Sequence, residues 1–157
     1  MKTLIFLLFC IAAVACSQPK ESQTGSADQG IGRMIKDQEY TFTARTVLPT
    51  GGRIVQLTSN YDMRVSKDSV ISFLPYFGRA YTAPIGGTNA GIQFTSTDFN
   101  YKVSERKKGG WQILIRPKDV QDIQQVNLTV SEGGSASLQV TSNNRQPISY
   151  NGVIEER

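Results

Sequence analysis

From Tyr40 onward the chain alternates apolar and polar residues with a period of two, which is the period of a strand whose side chains point to opposite faces. Tyr40, Phe42, Ala44 and Leu48 fall on one face and Thr41, Thr43 and Arg45 on the other. This predicts a half-buried strand ended by Pro49-Thr50-Gly51-Gly52. The apolar run Ile54 to Leu57 predicts a second strand, and Tyr61, Met63 and Val65, set against Asp62, Arg64 and Ser66, predict a third. A polar turn at Lys67-Asp68 leads into a fourth over Val70 to Leu74. Ile92 and Phe94 then open a stretch in which Phe99, Tyr101 and Val103 oppose Asn100, Lys102 and Ser104. A basic Gly-Gly turn at Arg106-Lys107-Lys108 follows, and Trp111, Ile113 and Ile115 run back. Val126, Leu128 and Val130 alternate with Asn127, Thr129 and Ser131, and Glu132-Gly133-Gly134 turns the chain into Leu138 and Val140. After a turn at Asn143-Asn144, the residues Ile148, Tyr150 and Ile154 close the pattern.

Ahead of the strands, Ser26-Ala27-Asp28-Gln29 has capping-box spacing, and Ile31, Met34 and Ile35 recur at i, i+3 and i+4. A short amphipathic helix is therefore predicted to open the domain. Strands joined by short Gly or Asn turns make an antiparallel meander with one packed and one wet face. A sheet of this many strands must twist and curl. The expected fold is mainly β: a curved half-barrel or barrel-like sheet with the helix near its open side, the alternative being a two-sheet β-sandwich.

The first thirty residues follow different rules. Lys2 supplies a positive start, Leu4 to Val14 a short apolar run, and Ala15 a small residue at a cleavage point, the pattern of a signal peptide. Its ending, Ala13-Val14-Ala15-Cys16, resembles the lipobox of bacterial lipoproteins, which implies acylation of Cys16 and cleavage just before it. No cysteine follows Cys16, so the mature domain has no internal disulfide. Several acyl chains, at about 0.8 kcal/mol per buried methylene, hold a protein firmly to a membrane. The Ser-, Gln- and Gly-rich segment after Cys16 has too little apolar surface to fold and reads as a tether spanning about 20 Å. The expected organisation is a signal peptide over 1–15, a lipidated cysteine and flexible tether over 16–30, and one β-rich domain over 31–157. The absence of Asp after Cys16 fits outer-membrane sorting and leaves the periplasmic and surface faces both open.

Composition changes the picture mainly by exclusion. The net charge of +4 is spread over interleaved Lys, Arg, Asp and Glu, without the basic face studded with aromatics that nucleic acid requires. The chain has no histidine, which removes Ser-His-Asp and Cys-His catalysis, His-rich zinc sites and imidazole switching. Asp62, Asp68, Asp98, Glu105, Asp119 and Asp122 are the carboxylates available to a sugar hydrolase, and each falls at a turn or on a polar strand face. Only an oxygen-ligand Ca²⁺ site is chemically open, no EF-hand spacing occurs, and no cofactor is expected. Asp68-Ser69-Val70 resembles a short O-glycosylation acceptor motif as well as an ordinary turn.

One segment breaks the hairpin pattern. Leu74-Pro75-Tyr76-Phe77-Gly78-Arg79-Ala80-Tyr81 continues through Pro84, Gly86-Gly87 and Asn89 to Gly91 as a long aromatic-rich loop. Such loops are functional or pack over what they cover. Tyr76, Phe77 and Tyr81 either plug the end of the sheet, with Arg79 in water, or make a ligand site in which Tyr76, Phe77, Arg79 and Tyr81 take part. This segment, with Gly91-Ile92-Gln93-Phe94, Asn144-Arg145, Ile148-Ser149-Tyr150 and Gly152, resembles an uncharacterised family of exported Bacteroidetes lipoproteins, a domain of unknown function. The resemblance implies an address and an architecture and carries no catalytic residue. The function expected is a non-catalytic envelope module for a small or amphipathic ligand. The alternative is a structural or protein-interaction lipoprotein without a pocket, and the third reading is a carboxylate-dependent hydrolase. The expected partners are the membrane, through Cys16, and a small molecule or envelope protein, with no nucleic acid.

Overall fold

The computed structural model describes residues 24–81 and 91–157. The signal peptide, Cys16, most of the expected tether and the loop residues Pro84, Gly86, Gly87 and Asn89 lie outside them. A helix α1 (Thr24–Asp37) is followed by β1 (Tyr40–Pro49), β2 (Val55–Val65), β3 (Val70–Leu74), β4 (Ile92–Ser96) and β5 (Phe99–Glu105). The remaining strands are β6 (Trp111–Pro117), β7 (Ile123–Val130), β8 (Ser135–Ser142) and β9 (Ile148–Glu156). All nine form one sheet in the order β4-β3-β2-β1-β9-β8-β7-β6-β5. Every ladder is antiparallel. The sheet is barrel-like and nearly closed, which excludes the two-sheet sandwich.

Directions alternate across an antiparallel sheet, so β4 and β5, first and ninth in the order, run the same way. They are separated only by Thr97 and Asp98, where the chain bends. The two edges are thus halves of one bent strand, the first half bonded to β3 and the second to β6. Counted so, the barrel has eight staves and one seam along the bent strand. The bend is fixed by Asp119, just beyond β6, whose carboxylate accepts from the Ser96 hydroxyl, the Thr97 amide at 2.8 Å and the Asp98 amide at 3.2 Å. Lys118 adds an ion pair to Asp98 at 2.7 Å, and its backbone amide donates a hydrogen bond to the Asp98 carbonyl at 2.8 Å.

An eight-stave barrel is just wide enough for side chains to fill it. Tyr40, Phe42, Met63, Ile113, Leu128, Leu138 and Tyr150 are fully buried within it. Two inward positions are polar and bonded: the Ser72 hydroxyl donates to the Ile92 carbonyl at 2.9 Å, and Ser96 meets Asp119. α1 caps one mouth. Ile35 is buried, Ile31 and Met34 pack on the core, and the Tyr101 hydroxyl donates to the Ile35 carbonyl at 3.0 Å. The Tyr40 hydroxyl, 3.3 Å from that of Tyr101, completes the relay, and burial pushes the Tyr101 phenol up to about 12. α1 ends with Gln38 in the left-handed region (φ 58°), the Gln38 amide bonding the Ile35 carbonyl and the Glu39 amide that of Met34. That pattern is a Schellman cap.

Three expectations are corrected. A β-bulge lies between Ala44 and Thr46, so the alternation changes phase and Val47, not Leu48, enters the core. The segments 54–57 and 61–65 are one strand, β2, with Ile54 just outside it and exposed. α1 begins at Thr24, ahead of the predicted cap at Ser26, and so includes residues 24–30 of the expected tether.

Two predictions follow from these contacts. Gln38→Gly relieves left-handed strain at the cap and raises the unfolding free energy by about 0.5–1 kcal/mol after the entropy that glycine adds to the unfolded chain, measured by urea denaturation. The Asp119 carboxyl is held down to about 2, first by the Ser96 hydroxyl and then by the Thr97 amide. A depressed folded pKa gives stability that is present above the unfolded value of about 3.9 and is lost as pH falls through about 2. The melting temperatures of wild type and Asp119→Asn are therefore expected to differ above pH 4 and to converge toward pH 2.

Candidate functional site

At the mouth opposite α1, the aromatic loop is held by the turn between β8 and β9. Ala80 forms an isolated antiparallel bridge with Arg145, the Tyr81 amide donates to the Asn144 carbonyl at 2.8 Å, and the Gln146 amide donates to the Arg79 carbonyl at 3.1 Å. The Tyr76 hydroxyl lies 2.9 Å from the Arg79 carbonyl and 3.1 Å from that of Gln146. The Tyr150 hydroxyl, rising from the core, donates to the Pro75 carbonyl at 2.6 Å. Burial raises the pKa of both phenols, so both stay protonated donors.

Arg145 is the hub of this arrangement. Its guanidinium stands 5.4 Å from the centre of the Tyr76 ring, donates to the Gly91 carbonyl at 2.8 Å and pairs with Asp122 at 3.4 Å. It thereby joins the segment after β3, the start of β4 and the turn between β6 and β7. Asp122 also accepts from the Ser142 hydroxyl at 2.9 Å and the Asn144 amide group at 3.2 Å. Two glycines make the close passage possible: a Cβ on Gly78 would fall 2.6 Å from the Tyr76 hydroxyl, and one on Gly91 would fall 2.7 Å from the Leu74 carbonyl. The four residues singled out in the sequence therefore divide. Tyr76 is committed to the clamp, while Phe77, Arg79 and Tyr81 are exposed.

A second feature lies at the α1 mouth. A cleft of about 570 Å³ runs between α1 and β5–β6, lined by Gly32, Ile35 and Lys36 on one side and by Tyr101, Val103, Glu105 and Trp111 on the other. Trp111 alternates with Gln112 like the core residues Ile113 and Ile115 that follow it, yet it is only half-buried, and α1 approaches so closely that a Cβ on Gly32 would fall 2.9 Å from the indole ring. Val103 is exposed, and β5 has a ladder partner on one side only. The cleft escaped sequence reasoning because it is made by docking two distant segments. The Arg145–Asp122 pair escaped too, although Arg145 lies within the segments that carried the family resemblance.

Several candidate carboxylates are already engaged. Asp62 pairs with Arg64 at 3.0 Å, Asp98 with Lys118, and Asp122 with Arg145. Ser69 in the possible glycosylation motif closes the β2–β3 turn, its hydroxyl 3.0 Å from that of Ser66. Among the described residues no group of three His, Cys, Asp or Glu side chains converges as a metal cage.

The family model described as Domain of unknown function (DUF4251) matches residues 23–154. Among solved structures, a DUF4251 family protein from Bacteroides eggerthii is similar, with a TM-score of 0.61 at 18% identity over 85% of this chain and 92% of that chain. At that identity the likeness is one of fold. No curated protein matches the chain.

The clamp gives a stability test that separates its members. Tyr150→Phe leaves the Pro75 carbonyl without its donor and is expected to cost about 1–3 kcal/mol. Arg145→Met leaves Asp122 unpaired and is expected to cost about 2–3 kcal/mol, less than a fully buried pair because Asp122 is partly hydrated. Phe77→Ala and Tyr81→Ala are expected to stay within about 0.5 kcal/mol of wild type in the same urea titrations.

Proposed function

The chain belongs to the DUF4251 family, and from that premise we propose that it is a lipid-anchored cell-envelope protein that binds a small or amphipathic ligand without converting it. The cleft beside α1 carries the reading. Its volume falls within the range of small-molecule sites, about 300–1,000 Å³. Its walls combine an apolar and aromatic surface at Val103, Tyr101 and Trp111 with Lys36 and Glu105 at opposite sides, a mixture suited to a molecule with an apolar body and a polar end. The barrel interior is already filled by side chains, which favours a site at the mouth over one inside.

The address rests on the start of the chain, where the signal-peptide pattern and the lipobox-like ending at Cys16 support anchoring by acyl chains and the absence of Asp after Cys16 supports the outer membrane. A fold relative from Bacteroides is consistent with a Bacteroidetes lipoprotein. In this reading Phe77, Arg79 and Tyr81 form an exposed edge beside the clamp that is open to a ligand or partner.

A second reading, a structural or partner-binding lipoprotein, draws on a different observation. Ile71 and Phe73 project from the outer face of β3 and are exposed, as are Phe77 and Tyr81 just beyond it. Apolar surface of this kind marks a contact site when it is contiguous.

Trp111 is the only tryptophan in the chain, so its emission reports on the cleft directly. Titration of the full-length chain with laurate below its micelle concentration is expected to give a saturable blue shift, lost in Val103→Glu. An unchanged spectrum with laurate and with extracted envelope lipids would rule out the cleft as the site and leave the β3 face as the better-supported reading.

A further inference from the structure

The outer face of the barrel carries a site of a different kind, independent of the cleft. Thr129 on β7 pairs with Ser137 on β8, Ser137 with Asn151 on β9, and Asn151 with Thr46 on β1. These outward side chains form one continuous row of hydroxyl and amide groups across four strands. A groove of about 520 Å³ lies over the row, with Arg45 on one bank and Arg106, from the β5–β6 turn, on the other. β1 and β7 are three strand spacings apart, about 14 Å, so the two guanidiniums flank a wide neutral floor.

Arg45 is placed by the strand itself, and Arg106 by a turn closed through its backbone bonds with Gly109 and Gly110. Arg45 is the extra residue of the β1 bulge, matched by no partner in either ladder, and bulges re-aim side chains in this way. Among the described residues neither guanidinium takes part in an ion pair. The acid of the neighbouring turn, Glu132, has its carboxylate packed against Gly109 and does not pair with Arg106. Among the described residues no carboxylate lines the groove.

We propose that this groove binds an acidic oligosaccharide. Carboxylates on two non-adjacent units would meet Arg45 and Arg106, since guanidinium groups pair with carboxylates through strong charge-assisted bonds. The hydroxyls between them would exchange hydrogen bonds with Thr129, Ser137, Asn151 and Thr46. Val153 and the threonine methyls offer surface to the C–H faces of the rings. A neutral sugar would use only the floor, and a simple anion would use only one bank.

The test is calorimetric titration of the full-length chain in detergent with tetragalacturonate, with a neutral galactose tetramer and with vesicles containing phosphatidylglycerol. Saturable binding of the acidic tetramer is expected, weakened about tenfold by Arg45→Gln and again by Arg106→Gln. Both side chains are exposed, so unchanged melting temperatures would certify the variants as folded. Ser137→Ala with Asn151→Ala is expected to weaken binding at unchanged charge. The proposal is overturned if the acidic tetramer does not bind, if the neutral one binds as well, or if the double arginine variant keeps its affinity. It is likewise overturned if vesicles bind through the two arginines and the tetramer does not, which would make the groove a lipid-surface contact.

Discussion

A meander of antiparallel strands can close on itself only with an even number of staves, and this chain meets the condition by bending one strand instead of adding another. Thr97 and Asp98 carry the chain from the β3 side of the seam to the β6 side. The carboxylate of Asp119 gathers the hydroxyl and two amides that the bend would otherwise leave to water. Everything else is arranged around that closure. α1 sits beside the second half of the bent strand through Tyr101, and Arg145 reaches the first half through the Gly91 carbonyl.

Closure at this size has a price in function. The interior is narrow enough for Tyr40, Phe42 and Tyr150 to fill, so recognition is left to the mouths and the outer wall. The two mouths are built differently. The one held by Arg145 is tied by hydrogen bonds that hold a loop against a turn, whereas the one under α1 keeps a cleft along the side of the helix that carries Gly32, Ile35 and Lys36. A rigid wall with a polar row outside and an apolar packing inside follows directly from the two-residue alternation.

The alternation was also what made the fold legible. β5 to β9 could be read from inward residues such as Ile113, Leu128 and Tyr150, because period two has a direct meaning in a sheet packed on one side. The bulge at Arg45 could not be read, since one added residue leaves composition unchanged and shows itself only in the partners' register. Thr58, Ser59 and Asn60 belong to β2 although neither ladder gives them a partner, β1 pairing on either side of them and β3 only from Asp62 onward, so the polar gap between two apolar runs was read as a break. The candidate sites were less legible than the fold. Aromatic density drew attention to Tyr76, but only the folded chain reveals that its hydroxyl is committed to the carbonyls of Arg79 in its own loop and of Gln146 in the distant β8–β9 turn. The cleft at Trp111 and the groove between Arg45 and Arg106 join segments far apart in sequence, for which no local pattern exists.

The pairing of β1 with β9 has a consequence for biogenesis. Tyr40 at the start of β1 lies opposite Glu156 at the end of β9, so the first strand of the sheet finds one of its two neighbours in the last. Contacts of such long sequence separation form late and make for slow folding. A chain that emerges from its N-terminus holds β1 with one edge bare until its final strand has emerged. The topology thus delays its own completion, because the sheet cannot close before β9 takes its place between β1 and β8.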